Sequence, residues 1–332
     1  MRAQLITFLS SFLCALIGVA LLVMIQIAWS VTSDPARCQT SMDCSVGGHS
    51  VATSTLVRPL PFLPEPPSTL IKKGLTAASV FALDDETGVV LFDVSSTVAR
   101  PLASLTKMMS AIILTELPMS WSATTTILEV DSDGSNSHIK VGESYSAAIL
   151  WQTALIGSSN TAISALVRMS GLTNDQFVAL MNAKARRLAM PSLYFVEPTG
   201  LDPRNVGTAR DVARLLHFAL INDAIRPVLG QEQVVLYPPK QPSRVVWNTN
   251  WLLTKWVPHT FADRVVGKTG YIGDSGYNLA VRLVGANARV IRVVIMGAAL
   301  PESRFIEART VGEWVFNHAV WPDFVASSSF HE

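Results

Sequence analysis

Pro101-Leu102-Ala103-Ser104-Leu105-Thr106-Lys107-Met108-Met109 opens an apolar run that continues to Leu117 with helical spacing. Side chains three apart on a helix share a face, so Ser104 and Lys107, both in the first turn, can approach each other. A serine hydroxyl is a weak nucleophile until a neighbouring base takes its proton. Lysine can be that base only where its pKa falls toward neutrality, through burial or through a second cation nearby. A helix start also aims backbone N–H dipoles at whatever reacts at Ser104.

Two further strings supply the missing parts. Ser158-Ser159-Asn160 falls between two helical patterns, directly after the apolar Ala154-Leu155-Ile156. Ser158 is expected to hydrogen-bond to Lys107 and relay a proton to a leaving amine, with Asn160 orienting that lysine and a substrate amide. Lys268-Thr269-Gly270 reads as the end of a strand begun at Arg264, where an ammonium, a hydroxyl and a backbone N–H form a patch suited to a carboxylate. Lys268 is the candidate second cation beside Lys107. The backbone N–H groups of Tyr271 and Ser104 are the expected oxyanion hole. Taken singly, these strings read as a helix start, a helix cap and a solvated strand end. Taken together, they supply a nucleophile, a base, a proton relay and an anion site, the parts that acyl transfer through a serine needs.

The rest of the chain excludes other chemistries. A formal charge of +1 over 332 residues, with no basic stripe, gives no case for a nucleic-acid partner. The six histidines are scattered without zinc-ligand spacing, so neither a metal nor another cofactor is expected. Cysteine occurs only at positions 14, 38 and 44, which removes cysteine-nucleophile chemistry from the body of the protein.

Ala3 to Ser33 contains no charged residue. Residues 1–33 therefore read as an uncleaved single-pass signal anchor, with a cleaved signal peptide as the alternative. Arg2 places the N-terminus inside and the catalytic domain outside the cytoplasmic membrane, on the periplasmic or cell-wall side. Residues 34–68 read as an extracytoplasmic linker in which Cys38 and Cys44 can pair. It ends in the proline-dense Arg58 to Pro67, a semi-rigid spacer or else an irregular strand on the domain surface. A catalytic domain follows over 69–325, then a tail over 326–332.

Within that domain, Ala77 to Asp84 and Val89 to Asp93 flank Asp85-Glu86-Thr87-Gly88 as a hairpin. Helical patterns occupy Leu102 to Leu117, Ala147 to Ile156, Thr161 to Met169, Asn174 to Leu188 and Thr208 to Leu220. Strands return at Arg264 to Gly270, Tyr277 to Val284 and Val290 to Met296, and Glu302 to Ala319 is a closing helix. The expected fold is α+β, an antiparallel sheet built from both chain ends with flanking helices and a helical lobe.

The ordered strings S-x-x-K, S-x-N and K-T-G resemble the signature of penicillin-recognising serine enzymes. Pro101 to Met109, Gln176 to Asn182, Arg187 to Met190, Pro198-Thr199-Gly200-Leu201-Asp202 with Asn205, and Thr208-Ala209-Arg210-Asp211 extend the resemblance. So do Lys268 to Tyr271 and Gly276-Tyr277. Together they resemble the D-alanyl-D-alanine carboxypeptidases among the low-molecular-mass penicillin-binding proteins, over roughly residues 75 to 320. The resemblance implies a β-lactamase/transpeptidase-like fold and hydrolysis of the terminal D-Ala of peptidoglycan stem peptides through an acyl-enzyme on Ser104. It also implies β-lactams as covalent inhibitors. A D,D-endopeptidase, a β-lactamase using Glu197, and a catalytically poor wall-binding homologue are the alternatives. The sequence departs from the pattern at Ser159, where Gly is usual, at Thr161, where Asp is usual, and at Ala189 in place of a Gly. Glu197 itself reads as an exposed loop residue.

Overall fold

The computed structural model describes residues 60–64, 74–134, 138–238, 241–286 and 288–321. The segment expected to be an anchor, most of the linker with its two cysteines, and the tail lie outside these residues. Among the described residues no helix is long and apolar enough to cross a membrane.

β1 (Ser79–Asp84), β2 (Val90–Val94) and a short β3 (Arg100–Pro101) precede a 3-10 turn, Ala103–Leu105, that runs directly into α1 (Thr106–Glu116). β4 (Thr124–Thr126) and β5 (Ser144–Ser146) lead to α2 (Ala147–Ile156), α3 (Asn160–Met169) and α4 (Asn174–Arg187). Then come β6 (Val206–Gly207), α5 (Ala209–Leu220), the single turn α6 (Arg226–Leu229) and a hairpin of β7 (Gln233–Leu236) and β8 (Arg244–Trp247). β9 (Val266–Ile272), β10 (Gly276–Val284), β11 (Val290–Ala298) and α7 (Ser303–His318) close the domain.

The main sheet has five strands in the order β2-β1-β11-β10-β9, with every neighbour antiparallel. β1 pairs with β11 from Ser79 opposite Met296 to Asp84 opposite Ile291, so an early and a late strand of the domain lie side by side. Between β1 and β2, the Asp84 carboxylate accepts from the Thr87 amide (2.8 Å) and hydroxyl (2.6 Å) and fixes the hairpin turn.

Successive strand side chains point to opposite faces. Val80 and Ala82 join Leu279, Val281, Leu283, Ile291, Val293 and Ile295 in a core under α7, which contributes Phe305, Ala308, Val311 and Val315. Phe81, Leu83, Ala280, Val294 and Met296 enter the other core, under the helices. With both faces covered, the central strands read as nearly continuous apolar runs rather than alternating ones.

α1 is the axis of the helical lobe. Residues Thr106 to Leu114 are all buried, and α3, α4 and α5 pack around them. Local caps explain where the surrounding helices start. Ser146, Ser159, Thr173 and Thr208 each accept a backbone N–H from the first turn of α2, α3, α4 and α5 respectively.

Three features differ from the sequence reading. Lys268-Thr269-Gly270 does not end its strand: β9 runs on to Ile272, because its ladder with β10 continues to Gly276. The β7–β8 hairpin was not visible in the sequence, since four-residue strands around a proline-rich turn carry too little alternation to read. Of the proline-dense stretch, Phe62 exchanges two backbone hydrogen bonds with Val320 (3.1 and 2.9 Å), and Leu63 packs on the core beneath α7. At that point it is an irregular surface strand rather than a spacer.

Phe305 is fully buried and stacks on Trp251 with ring centroids 5.1 Å apart. Phe305→Ala is expected to destabilise the domain by about 3–5 kcal/mol, measured by denaturant unfolding of both proteins.

Candidate active site

Ser104 sits where three elements converge. Leu102 donates its N–H to the Asn205 carbonyl (2.8 Å), and Ala103 adopts a left-handed φ of 50°. The chain thus turns sharply into the 3-10 turn and presents Ser104, half-buried, at the mouth of α1. Two glycines permit this crowding. Gly200, at φ 93°, lies so close that a Cβ would stand 1.9 Å from the Ala103 carbonyl oxygen. A Cβ on Gly270 would stand 3.1 Å from the Ser104 nitrogen and 2.9 Å from the Leu102 oxygen. β9 therefore passes directly against the backbone of Ser104, and Tyr271 follows as the next residue.

Lys107 has no exposed surface. Its Nζ donates to Ser104 Oγ (2.8 Å), Asn160 Oδ1 (2.5 Å) and the Thr199 carbonyl (2.7 Å), which accounts for all three ammonium protons. Burial brings its pKa down to about 7, against the opposing fields of Glu197 and Asp133. A lysine poised there can take the Ser104 proton near neutral pH.

Lys268 is equally buried and donates to Ser158 Oγ (2.7 Å) and the Thr269 carbonyl (3.1 Å). Burial lowers its pKa well below the usual lysine range, with the charges of Lys107 and Arg304 adding to that effect. One expectation is corrected here. Ser158 bonds to Lys268 and not to Lys107, because its left-handed φ of 60° carries it toward β9. Burial is the largest cause of the lowered pKa on both lysines, and the two cations repel each other.

The Thr269 and Thr249 hydroxyls lie 2.5 Å apart at the β9 edge. Tyr271 stacks on Tyr277 across the β9–β10 ladder, with ring centroids 4.2 Å apart. Arg304 of α7 reaches beneath them, donates to the Gly270 carbonyl (3.1 Å) and lies 5.3 Å over the Tyr277 ring. Burial lowers the Arg304 guanidinium to about 10. The sequence reading missed Arg304, although it shares the buried face of α7 with Ala308, Val311 and Val315. A charged residue on an apolar stripe was the available signal.

Glu197 is not an idle surface residue. One carboxylate oxygen accepts from the Thr199 amide (2.6 Å) and hydroxyl (2.7 Å), the other from the Gly200 amide (2.5 Å) and Asn205 Nδ2 (2.9 Å). Asn205, itself fully buried, ties the loop to Thr106 of α1 (3.2 Å). The sequence departures are also accommodated. Ser159 has an ordinary φ of −64°, caps α3, and leaves the left-handed conformation to Ser158. Thr161 is buried, and its hydroxyl has no partner among the described residues. Ala189 does occupy a left-handed φ of 53°, where a glycine would sit without steric cost. Among the described residues no cluster of side chains is suited to hold a metal ion.

A family model described as D-alanyl-D-alanine carboxypeptidase matches residues 67–299. The D-alanyl-D-alanine endopeptidase of Pseudomonas aeruginosa is 30% identical over 80% of this chain and 84% of its own length. A D-alanyl-D-alanine endopeptidase of Escherichia coli is 26% identical over 85% of this chain and 92% of its own. The crystal structure of a D-alanyl-D-alanine carboxypeptidase from Mycobacterium tuberculosis superposes with a TM-score of 0.64 at 25% identity, covering 77% of this chain and 93% of that one. A Streptomyces DD-transpeptidase shares the fold with a TM-score of 0.66 at 21% identity, covering 74% and 98%.

Because the folded state holds Lys107 near 7 and the unfolded chain near 10.5, the unfolded state binds more protons between those values. Stability contributed by this residue therefore rises with pH across that window. The unfolding free energy of the native protein, minus that of Lys107→Met, is expected to increase from pH 7 to 9 by up to about 1.4 kcal/mol per unit. Parallel urea titrations check the slope.

Proposed function

The chain belongs to the D-alanyl-D-alanine carboxypeptidase family of serine peptidases, and on that premise we propose that it hydrolyses the terminal D-Ala of peptidoglycan stem peptides through an acyl-enzyme on Ser104. The observation that carries this reading is the 2.8 Å bond between Ser104 Oγ and Lys107 Nζ, with the lysine poised near pH 7.

The neutral form of Lys107 takes the hydroxyl proton as Oγ attacks the carbonyl carbon of the penultimate D-Ala. The oxyanion is held by the backbone N–H groups of Ser104 and Tyr271. The proton that Lys107 took passes on through Ser158 to the departing D-Ala nitrogen, which leaves Lys107 neutral again, and Asn160 keeps Lys107 and the substrate amide in place. The terminal carboxylate faces Lys268, Thr269 and Gly270, with Arg304 behind them adding to the positive field. Water then attacks the ester with Lys107 again as base, releasing the shortened peptide and restoring Ser104. β-Lactams acylate the same hydroxyl and act as covalent inhibitors.

A second reading, a D,D-endopeptidase, rests on the two endopeptidase relatives that align over 80% and 85% of this chain. It uses the same acyl-enzyme and differs in which acyl donor the cleft admits. A β-lactamase reading is disfavoured, because the Glu197 carboxylate already accepts from four groups of its own loop and from Asn205, and is not available to activate water.

The catalytic domain is placed outside the cytoplasmic membrane, held by residues 1–33. The absence of charge from Ala3 to Ser33 supports this placement. If residues 1–33 are retained as an anchor, the full chain stays with membranes through an alkaline wash and is released when residues 1–33 are deleted. Release of the intact chain would show that it is not so held.

Digestion of pure stem pentapeptide and of crosslinked muropeptide dimers, followed by mass measurement of the products, separates the two enzyme readings. Free D-Ala from pentapeptide is expected for the carboxypeptidase, and loss of dimers for the endopeptidase. Ser104→Ala is expected to lower either activity by roughly 10³-fold or more and to abolish labelling by a fluorescent penicillin.

A further inference from the structure

Besides Ser104 Oγ, Lys107 bonds to two neutral acceptors, and the residue that supplies each is held in turn by a carboxylate. Asn160 turns Oδ1 to the lysine while its Nδ2 donates to Asp133 Oδ2 (2.7 Å). The Thr199 carbonyl faces the lysine from a loop whose Thr199 amide and hydroxyl are both bound by Glu197 (2.6 and 2.7 Å). We propose that Asp133 and Glu197 are positioning residues for the Ser104–Lys107 pair: each orients one neutral acceptor of the ammonium and acts on its charge from one residue away. The proposal rests on Lys107 being the base that activates Ser104.

Several observations support this. An amide has two ends, and an acceptor at the Nδ2 end decides which one faces the lysine. Without Asp133 the Asn160 side chain can flip and point an N–H at an ammonium. Asp133 reaches in from the segment between β4 and β5, far in sequence from α3. Within α3 itself, Thr161 stands where the resembled family carries Asp, so no carboxylate follows Asn160.

The Glu197 arrangement is a closed loop of chain. Its carboxylate gathers the Thr199 and Gly200 amides and Asn205, and Asn205 is anchored on Thr106 beside Lys107. Both carboxylates favour the charged lysine and oppose the lowering of its pKa by burial. A direct ion pair in so dry a site would hold the lysine protonated. A carboxylate set back behind a neutral dipole orients without doing so. Among the described residues, Lys268 of β9, bonded to Ser158, is a cation whose charge interacts with that of Lys107, and Arg304 of α7 acts in turn on Lys268.

The test is the pH dependence of kcat/KM for a stem pentapeptide, and of acylation by a fluorescent penicillin, on the full chain. The native protein, Asp133→Asn and Glu197→Gln are compared, with Ser104→Ala as the blank. Asn at 133 keeps an acceptor for Asn160 and removes only the charge. Its acid limb is expected to move to lower pH by about one unit, with melting temperature close to native. Glu197→Gln is expected to shift the limb the same way and also to lower the plateau by roughly 100-fold, because the Thr199 carbonyl loses its fixed position. A limb in Asp133→Asn that coincides with the native one overturns the proposal, as does a lowered plateau without any shift, which is what a purely structural role produces. If the native protein forms no penicillin adduct on Ser104, the reading of the site fails first, and the proposal with it.

Discussion

The constraint on which the rest depends is that an ammonium is buried without an ion pair in contact. Lys107 exposes no surface and gives its three protons to a hydroxyl, an amide oxygen and a main-chain carbonyl. Removing a charge from water costs several kcal/mol unless polar groups replace the lost hydration. Here the replacements come from three separate parts of the chain: the 3-10 turn, the start of α3 and the loop after Phe195. None can be displaced without stranding the others. The site therefore demands that the helical lobe, the loop and α1 be fixed relative to one another to within a hydrogen bond.

The sheet meets that demand from the other side. β9, at its edge, brings a second buried lysine to Ser158 and sets Gly270 against the Ser104 backbone. β9 is held by β10, β10 by β11, and β11 by β1, so the position of Lys268, Thr269 and Gly270 is inherited from a ladder whose members lie more than two hundred residues apart. Arg304 and Phe305 illustrate the coupling. One side chain of α7 bonds to the Gly270 carbonyl, while its neighbour fills the core beneath the sheet. Two adjacent buried cations destabilise the fold, and the apolar packing on both sheet faces offsets this. The outcome is lysines whose protons are loosely held, which acyl transfer at neutral pH requires.

Much of the architecture was readable from local pattern. α2 begins and ends where the apolar run from Ala147 to Ile156 does, and the Asp85–Gly88 turn makes the hairpin its residues favour. The approach of Ser104 to Lys107 was readable too, because they stand three residues apart across the 3-10 turn and the first turn of α1, and their contact is a local matter. The errors share a physical origin. Which lysine Ser158 serves, where β9 stops, and that Glu197 organises a loop instead of facing solvent all depend on partners distant in sequence.

The sequence by itself determined the chemical inventory: a serine beside a lysine at a helix start, a capped Ser-Ser-Asn between helices, and a Lys-Thr-Gly on a strand. Those are matters of spacing, composition and capping, which short-range sterics and periodicity decide. Only the tertiary structure decided how the inventory is wired. It sent Ser158 to Lys268, put Arg304 under Gly270, and set Asp133 and Glu197 behind the acceptors of Lys107. Hydrogen bonds in a desolvated site are directional and lie within about 3 Å. Such contacts form between whichever groups the packed core brings together, and that is a property of the whole fold.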